Sequence, residues 1–100
     1  MDLNKMMKQA QRMQSDMAKA KSEIEALRRS YTAGGVVEAT VRGDNTLESI
    51  NIAPSAIDPE DAEGLEDLVL TAVNGALEEI HKAAEDRMKQ ATGGMALPGM

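Results

Sequence analysis

A heptad pattern over residues 3–31 constrains this chain more than any other feature. Apolar or small side chains recur there at alternating steps of three and four residues, which keeps them on one side of an α-helix. The members of this heptad seam are Leu3, Met6, Ala10, Met13, Met17, Ala20, Ile24, Leu27 and Tyr31. No Gly or Pro interrupts the segment, so the pattern predicts one helix, about 43 Å long at 1.5 Å per residue.

A helix of that length does not fit inside a compact chain of 100 residues, whose radius of gyration would be about 13 Å. We therefore expect the helix to project from the body or to lie along another chain. Tyr31 is the sole aromatic residue, and aromatic side chains bury the largest areas in protein cores. A small core without them commonly needs a partner subunit, so the sequence favours a homodimer.

The composition changes to that of β-structure over residues 32–58. Apolar and polar side chains alternate in residues 37–42 and again in residues 49–52, which predicts two half-buried strands. The Gly-Asp-Asn-Thr turn at residues 43–46 would join them as an antiparallel hairpin. The pair Gly34-Gly35 either bends a longer first strand or separates it from a short additional strand around residues 30–33.

A second long helix is predicted from Asp58 to about Ala91. Asp58 has the character of an N-cap, Pro59 suits the first helical position, and acidic residues follow in the first turn. The wide apolar stripe of this helix is suited to packing on a sheet. Its members are Leu65, Leu68, Val69, Ala72, Val73, Ala76, Leu77, Ile80, Ala84 and Met88. The row Leu65, Val69, Val73 and Leu77 is expected to face the hairpin residues Val37, Val41, Ile50 and Ile52.

These elements predict an α+β fold with a long N-terminal helix, a small antiparallel sheet and a long C-terminal helix. Residues 1–92 are expected to form a single domain, and residues 93–100 a flexible C-terminal tail. No apolar run approaches the roughly 18 residues of a membrane span, so we expect no membrane partner.

The sequence offers little for catalysis, and we expect neither an enzyme nor a cofactor. There is no Cys, which excludes a Cys-based zinc site. His81 is the only His, and its place beside the apolar stripe favours a solvated or hydrogen-bonded side chain over a metal ligand. The acidic residues at 60–67 are best explained as compensation of the helix dipole and a solvated face. We expect no small-molecule substrate.

The charge of the chain is unevenly distributed. The net charge is −6, yet residues 1–31 hold seven basic and four acidic residues, for a net charge of +3. At 100° per residue, four of these cations fall within a 60° arc roughly opposite the heptad seam. The members of this basic strip are Lys5, Lys8, Arg12 and Lys19. The strip is either the solvated face of an amphipathic helix or a row of cations that follows phosphates on a duplex.

Two further groups of residues leave alternatives open. The Met side chains of the seam suit a packed helix–helix interface or an adaptable clamp for a client protein, since Met tolerates imperfect packing. The cations Arg28, Arg29, Arg87 and Lys89 would lie near helix C-termini, where positive charge is stabilising in itself.

Four segments in series resemble the bacterial YbaB/EbfC family of nucleoid-associated proteins. They read MMKQAQRMQ, AGGVVEATVRGD, INIAPSAIDPEDAEGLEDLVLTAVNGAL and TGGMALPG, and together they cover nearly the whole chain in order. The resemblance implies a homodimer with protruding helices, binding of double-stranded DNA, a place in the cytoplasmic nucleoid, and roles in nucleoid organisation and gene regulation.

The resemblance also implies which residues contact DNA, because the family's contacts are attributed to charged, projecting helices. In this chain those residues are Lys5, Lys8, Arg12 and Lys19 on the first helix, and Arg87 and Lys89 late in the second. The segment EEIHKAAEDRMKQ around the last two contains four acidic and three basic residues, which argues against strong DNA binding by the second helix. No aromatic or Asn/Arg cluster suggests base readout, so weak sequence specificity is expected. The alternative is a dimeric protein-interaction module with a Met-lined clamp.

Overall fold

The computed structural model describes residues 2–93 as two long helices and a three-stranded antiparallel sheet. The elements are α1 (Leu3–Glu25), β1 (Arg28–Ala33), β2 (Val37–Arg42), β3 (Leu47–Ile52), a short 3₁₀ helix (Pro54–Ala56) and α2 (Ala62–Ala91). This architecture confirms the predicted α+β fold. All but the first residue of the predicted tail, residues 94–100, lies outside the described residues.

The first helix is shorter than the heptad pattern predicted. It ends at Glu25 with Ala26 as its C-cap, about 34 Å from its start at 1.5 Å per residue, and the prediction of helix up to Tyr31 was wrong. Residues 28–33 form strand β1 instead, in which Tyr31 lies opposite Ala39 of β2. Of the two alternatives for the Gly34-Gly35 pair, the additional strand is therefore correct.

The predicted hairpin is confirmed in position and direction. Strands β2 and β3 pair antiparallel with Val37 opposite Ile52, and a register shift between Thr40 and Val41 marks a bulge. Asn45 in the connecting turn has a positive φ of 66°, a conformation that Asn tolerates better than most residues. The strand order β1-β2-β3 leaves β1 and β3 as the two edges of the sheet.

The start of α2 differs from the prediction by one turn of chain. Asp61, not Asp58, is the N-cap, and its side chain accepts a hydrogen bond from the Gly64 amide at 3.1 Å. Asp58 instead closes a turn, in which its side chain accepts from the Glu60 amide and its carbonyl from the Asp61 amide, both at 2.9 Å. The predicted end of the helix at Ala91 is confirmed.

The core lies between α2 and the sheet and consists of small side chains. Its fully buried members are Ala33, Val37, Ala39, Val41, Ala72, Ala76 and Ile80. The predicted row of Leu65, Val69, Val73 and Leu77 packs against this core but is only partly buried. The centre of the α2 contact is the neighbouring row of Ala72, Ala76 and Ile80, because small residues there let the helix lie close to the strands.

Helix α1 projects from this body. Within the helix only Ala20 is fully buried, while Met13, Met17 and Ile24 are half-buried and residues 3–12 are exposed. The molecule is accordingly elongated, with extents of 71 × 19 × 16 Å and a radius of gyration of 19.3 Å. That radius is well above the roughly 13 Å of a compact chain of this length. None of the helices described between residues 2 and 93 is long and apolar enough to cross a membrane.

We expect Ile80→Ala to destabilise the protein by about 2–4 kcal/mol, because it removes the largest fully buried side chain of the core and leaves a cavity. Chemical denaturation monitored by circular dichroism would measure the change. Met7→Ala is the matched control, since Met7 is 60% exposed on α1 and its loss should leave stability nearly unchanged. Equal effects of the two substitutions would contradict the assigned core.

Candidate nucleic-acid interface

The basic strip lies on the projecting part of α1. Asp2 caps this helix and accepts hydrogen bonds from the amides of Asn4 and Lys5 at 3.1 and 3.3 Å. Beyond the cap, Lys5, Lys8 and Arg12 are exposed on the projecting half, and Lys19 is exposed beside the buried Ala20, where the helix packs on the body. Helical geometry fixes their common face, as predicted from a rotation of 100° per residue.

The four cations of the strip are available to an external partner. Within residues 2–93 none of them forms an ion pair or a side-chain hydrogen bond. Lys5 and Lys19 are separated by fourteen residues, so the strip is about 21 Å long, which matches about six base pairs at 3.4 Å. A straight row of unpaired cations of this length can neutralise several backbone phosphates.

The two cations predicted on α2 have acidic partners instead. Arg87 donates from Nε to Oε2 of Glu23 at 2.6 Å, and its side chain is 27% exposed. Lys89 Nζ lies 3.3 Å from Oε1 of Glu85, one turn earlier in α2. Arg87 and Lys89 therefore differ from the four cations of the basic strip, which are unpaired within the described residues.

The ion pair between Arg87 and Glu23 joins the ends of the two helices. The hydrogen bond from Arg87 and its positive charge hold the pKa of the Glu23 carboxyl below its usual value of 4.5, and the charge of Lys19 contributes in the same direction. Sequence reasoning missed Glu23 because the partners are 64 positions apart. The pattern around either residue carries no signal for such a pairing.

Two other sequence interpretations are resolved by the fold. Arg28 and Arg29 do not cap a helix but lie in β1, where Arg28 pairs with Glu48 of β3 at 3.0 Å. His81 is exposed, and its Nε2 lies 2.9 Å from Oδ1 of Asn45 in the hairpin turn. It is therefore a hydrogen-bonded surface side chain. Among the described residues, no cluster of three or more His, Cys, Asp or Glu side chains could hold a metal ion.

Only the C-terminal part of the heptad seam is buried or half-buried within one chain. Its C-terminal part packs toward α2 through Met17, Ala20 and Ile24, as expected for a helix–helix interface. At the N-terminal part, Leu3 is 69% and Met6 49% exposed, and the adjacent Met7 is 60% exposed. The projecting end of α1 thus presents apolar side chains on one side and cations on the other.

Comparisons with known proteins agree on one family. The family model described as the YbaB/EbfC DNA-binding family matches residues 1–95. A curated nucleoid-associated protein of Clostridium kluyveri is 46% identical over 100 residues, which cover 99% of this chain and 88% of the relative. A nucleoid-associated protein of Clostridium novyi is 43% identical over 101 residues, covering 100% of this chain and 89% of the relative.

A solved structure supports the fold. The crystal structure of an uncharacterized protein from Helicobacter pylori superposes with a TM-score of 0.65. The match covers 95% of this chain and 97% of that one, at 21% sequence identity. The arrangement of helices and sheet described above therefore occurs in an experimentally determined protein.

We expect the ion pair between Glu23 and Arg87 to stabilise the fold only while Glu23 is ionised. Since its pKa is lowered in the folded state, the stabilisation is fully present above the ordinary value of 4.5 and is lost as the pH falls through the lowered value. Thermal unfolding of wild type and Glu23→Gln should therefore differ at pH 7 and converge in strong acid. Asp44, whose pKa is also lowered, titrates in both proteins and cancels from the difference. A difference in Tm that does not change with pH would contradict this role.

Proposed function

Because the chain belongs to the YbaB/EbfC DNA-binding family, we propose that it is a homodimeric nucleoid-associated protein of the bacterial cytoplasm. It binds double-stranded DNA through the basic strip on α1 and recognises the phosphate backbone and the shape of the duplex more than its sequence. Through such binding it would take part in nucleoid organisation and gene regulation. The observation that carries this proposal is the row of four exposed, unpaired cations on a helix that projects from an otherwise acidic protein.

Electrostatics favours a local contact over long-range attraction. A net charge of −6 opposes the approach of DNA to the molecule as a whole. The projecting helix removes this conflict in part, because Lys5, Lys8 and Arg12 lie in its exposed first half, more than about 15 Å along the helix from Glu23 at the contact with α2. Ionic strength of 0.1 M screens charges beyond about 10 Å, so these three cations meet phosphates largely free of the repulsion from the body.

A homodimer is supported by apolar surface on the body. Leu70 of α2 is 61% exposed, Ile57 56%, Leu47 of β3 47% and Tyr31 of β1 41%. Exposed apolar side chains that form a continuous patch mark interaction surfaces, and these four are the candidates for such a patch on the body. Two protomers would also present two basic strips, and up to about eight phosphate contacts, to one duplex.

An alternative function is a dimeric module that grips a protein between Met-lined helices. The exposure of Leu3, Met6 and Met7 favours this alternative, since flexible Met side chains adapt to varied partners. The two functions differ in which face of α1 is required, so substitutions on the cationic face and on the apolar face distinguish them.

The strip can be tested by its effect on the salt dependence of DNA binding. Arg12→Gln with Lys19→Gln should weaken binding to unrelated duplexes by similar factors. It should also flatten the slope of log affinity against log salt by roughly 0.9 for each phosphate that is no longer neutralised. The control is Lys21→Gln with Lys89→Gln, which removes the same charge from the opposite face of α1 and from a cation paired with Glu85.

The control should keep most of the affinity and of the slope. Equal losses in the two double variants would show that net charge alone matters and would contradict the strip. If the strip variant binds DNA as the wild type does while Met6→Gln abolishes capture of a protein partner, the clamp is the correct function. Circular dichroism and sedimentation must show first that every variant remains folded and keeps the assembly state of the wild type.

We expect sedimentation equilibrium to give about twice the chain mass of 10.7 kDa at micromolar concentration, since the exposed apolar side chains of the body would be covered in a dimer. The measurement uses the full chain at neutral pH and moderate salt. A folded species at the mass of a single chain would contradict the homodimer while leaving the DNA-binding proposal to be tested separately.

A further inference from the structure

The angle at which α1 leaves the body is weakly determined by packing. Ala20 is the one fully buried residue of the helix, and Met13, Met17 and Ile24 are half-buried along the seam. Beyond Ile24 at the base, the contact consists of one small side chain and two flexible thioethers, which allow the helix to rock because Met adapts to altered packing at little cost. The chain connects α1 to the sheet through two residues only, Ala26 and Leu27, which precede β1.

An open cleft further reduces the contact between the helices. A cleft of about 440 Å³ lies where the end of α1, β1 and the second half of α2 meet. Its lining includes Glu23, Arg29, Lys82, Asp86 and Arg87. Charged side chains around an open cleft do not define an angle as interlocked apolar side chains do. Some other interaction must therefore fix the direction of α1.

Two contacts near the base of α1 supply that constraint. The first is a pivot, where the Leu27 carbonyl accepts from the Gly43 amide at 2.9 Å. The backbone of Ile24 lies so close to Gly43 that a Cβ there would overlap the Ile24 carbonyl. The second contact is the hydrogen-bonded ion pair between Glu23 and Arg87 at 2.6 Å. A pivot alone leaves a rotation free, and a charge-assisted hydrogen bond to α2 beside it removes that freedom.

A small change of angle at the Glu23–Arg87 pair moves the far end of the basic strip by a large distance. Glu23 lies eighteen residues from Lys5, which is about 27 Å along the helix, so a change of about 10° at the base moves Lys5 by about 5 Å. A displacement of this size is more than the spacing of about 3.4 Å per base pair along the duplex. The orientation of α1 therefore decides how many cations of the strip engage one duplex.

We propose that Arg87 is a positioning residue for DNA binding: its ion pair with Glu23 holds α1 at the angle at which the basic strip meets the phosphate backbone. Arg87 does not itself contact phosphate. This inference rests on the proposed function of the strip. It assigns to α2 the role of orienting α1, the helix that binds DNA.

Whether Glu23→Gln raises or lowers the affinity for DNA distinguishes a positioning role of Arg87 from direct contact with phosphate. Glu23→Gln removes a negative charge, so simple electrostatics predicts stronger DNA binding and a freed Arg87 would add to it. Positioning predicts the opposite, a loss of affinity of about two- to fivefold, the range that a partly exposed ion pair supports. Arg87→Gln should lose affinity to a similar degree. The exchanged variant Glu23→Arg with Arg87→Glu keeps the net charge and the ion pair, and its recovery is read from the orientation of α1 rather than from affinity, because an Arg at position 23 lies on the face of the basic strip.

The control is Glu85→Gln, which frees Lys89 from the ion pair within α2 without touching the link between the helices. It removes the same charge as Glu23→Gln and should leave affinity unchanged or slightly raised. Binding is measured by fluorescence anisotropy on a 25-base-pair duplex of arbitrary sequence at two salt concentrations.

Helix orientation is measured independently of DNA. Because the chain has no Cys, spin labels can be placed at single Cys substitutions of Gln11 on α1 and Asn51 on β3, both exposed. The labelled chain is diluted with unlabelled chain so that distances within one protomer dominate. Glu23→Gln and Arg87→Gln should broaden or shift the distance distribution, and the exchanged variant should restore it.

The outcomes separate this inference from the proposed function. A wild-type protein that does not bind the duplex overturns the proposed function and the positioning role with it. A wild type that binds, with Glu23→Gln binding as well or better, overturns the positioning role alone. An unchanged distance distribution in Glu23→Gln also overturns it. Weaker binding and an altered distance distribution in Glu23→Gln, with recovery of the distribution in the exchanged variant, support the inference.

Discussion

The close packing of α2 on strands β1 and β2 is the contact on which the rest of the molecule depends. It brings together Ala72, Ala76 and Ile80 of the helix with Val37, Ala39 and Val41 of the central strand. Because half of these side chains are Ala, the backbones approach closely, and dispersion contacts replace the area that aromatic residues would otherwise bury. Helix α1 adds a single buried residue to the fold, Ala20. Most of the buried core therefore lies in the α2–sheet body, on which α1 is placed.

The parts of the fold that follow one clear period could be predicted from the sequence, whereas the end of α1 could not. Leu27 and Tyr31 are four residues apart, a step that places them on one face of a helix and equally on one face of a strand. The heptad seam therefore included both residues although the helix ends before them. Residues 28–33 form a strand because they pair with β2. Asp58 and Asp61 present a similar ambiguity, because both carry the side chain of an N-cap. Only the turn at residues 58–61 determines which of them starts the helix.

In the candidate site, too, the features that depend on local geometry could be predicted and those that depend on tertiary contacts could not. The common face of Lys5, Lys8, Arg12 and Lys19 depends on local helical geometry alone, so the sequence was sufficient to predict it. The state of Arg87 depends on a residue 64 positions earlier, and no local pattern reports such a contact. That Arg87 and Lys89 contact DNA stays a prediction. Charge in a sequence predicts potential binding, but the pairing of that charge is a tertiary property.

The exposed first half of α1 has a consequence for how such a protein changes over generations. Residues 3–12 contribute no buried side chain to the fold, so most substitutions there that preserve helix formation cost little stability. Selection can then alter the number and spacing of cations in the projecting helix while the α2–sheet body stays as it is. Under the proposed function, the cations of residues 3–12 affect DNA binding while contributing little to stability. The same scaffold could then be retuned to genomes of different composition or to cytoplasms of different ionic strength without passing through unstable intermediates.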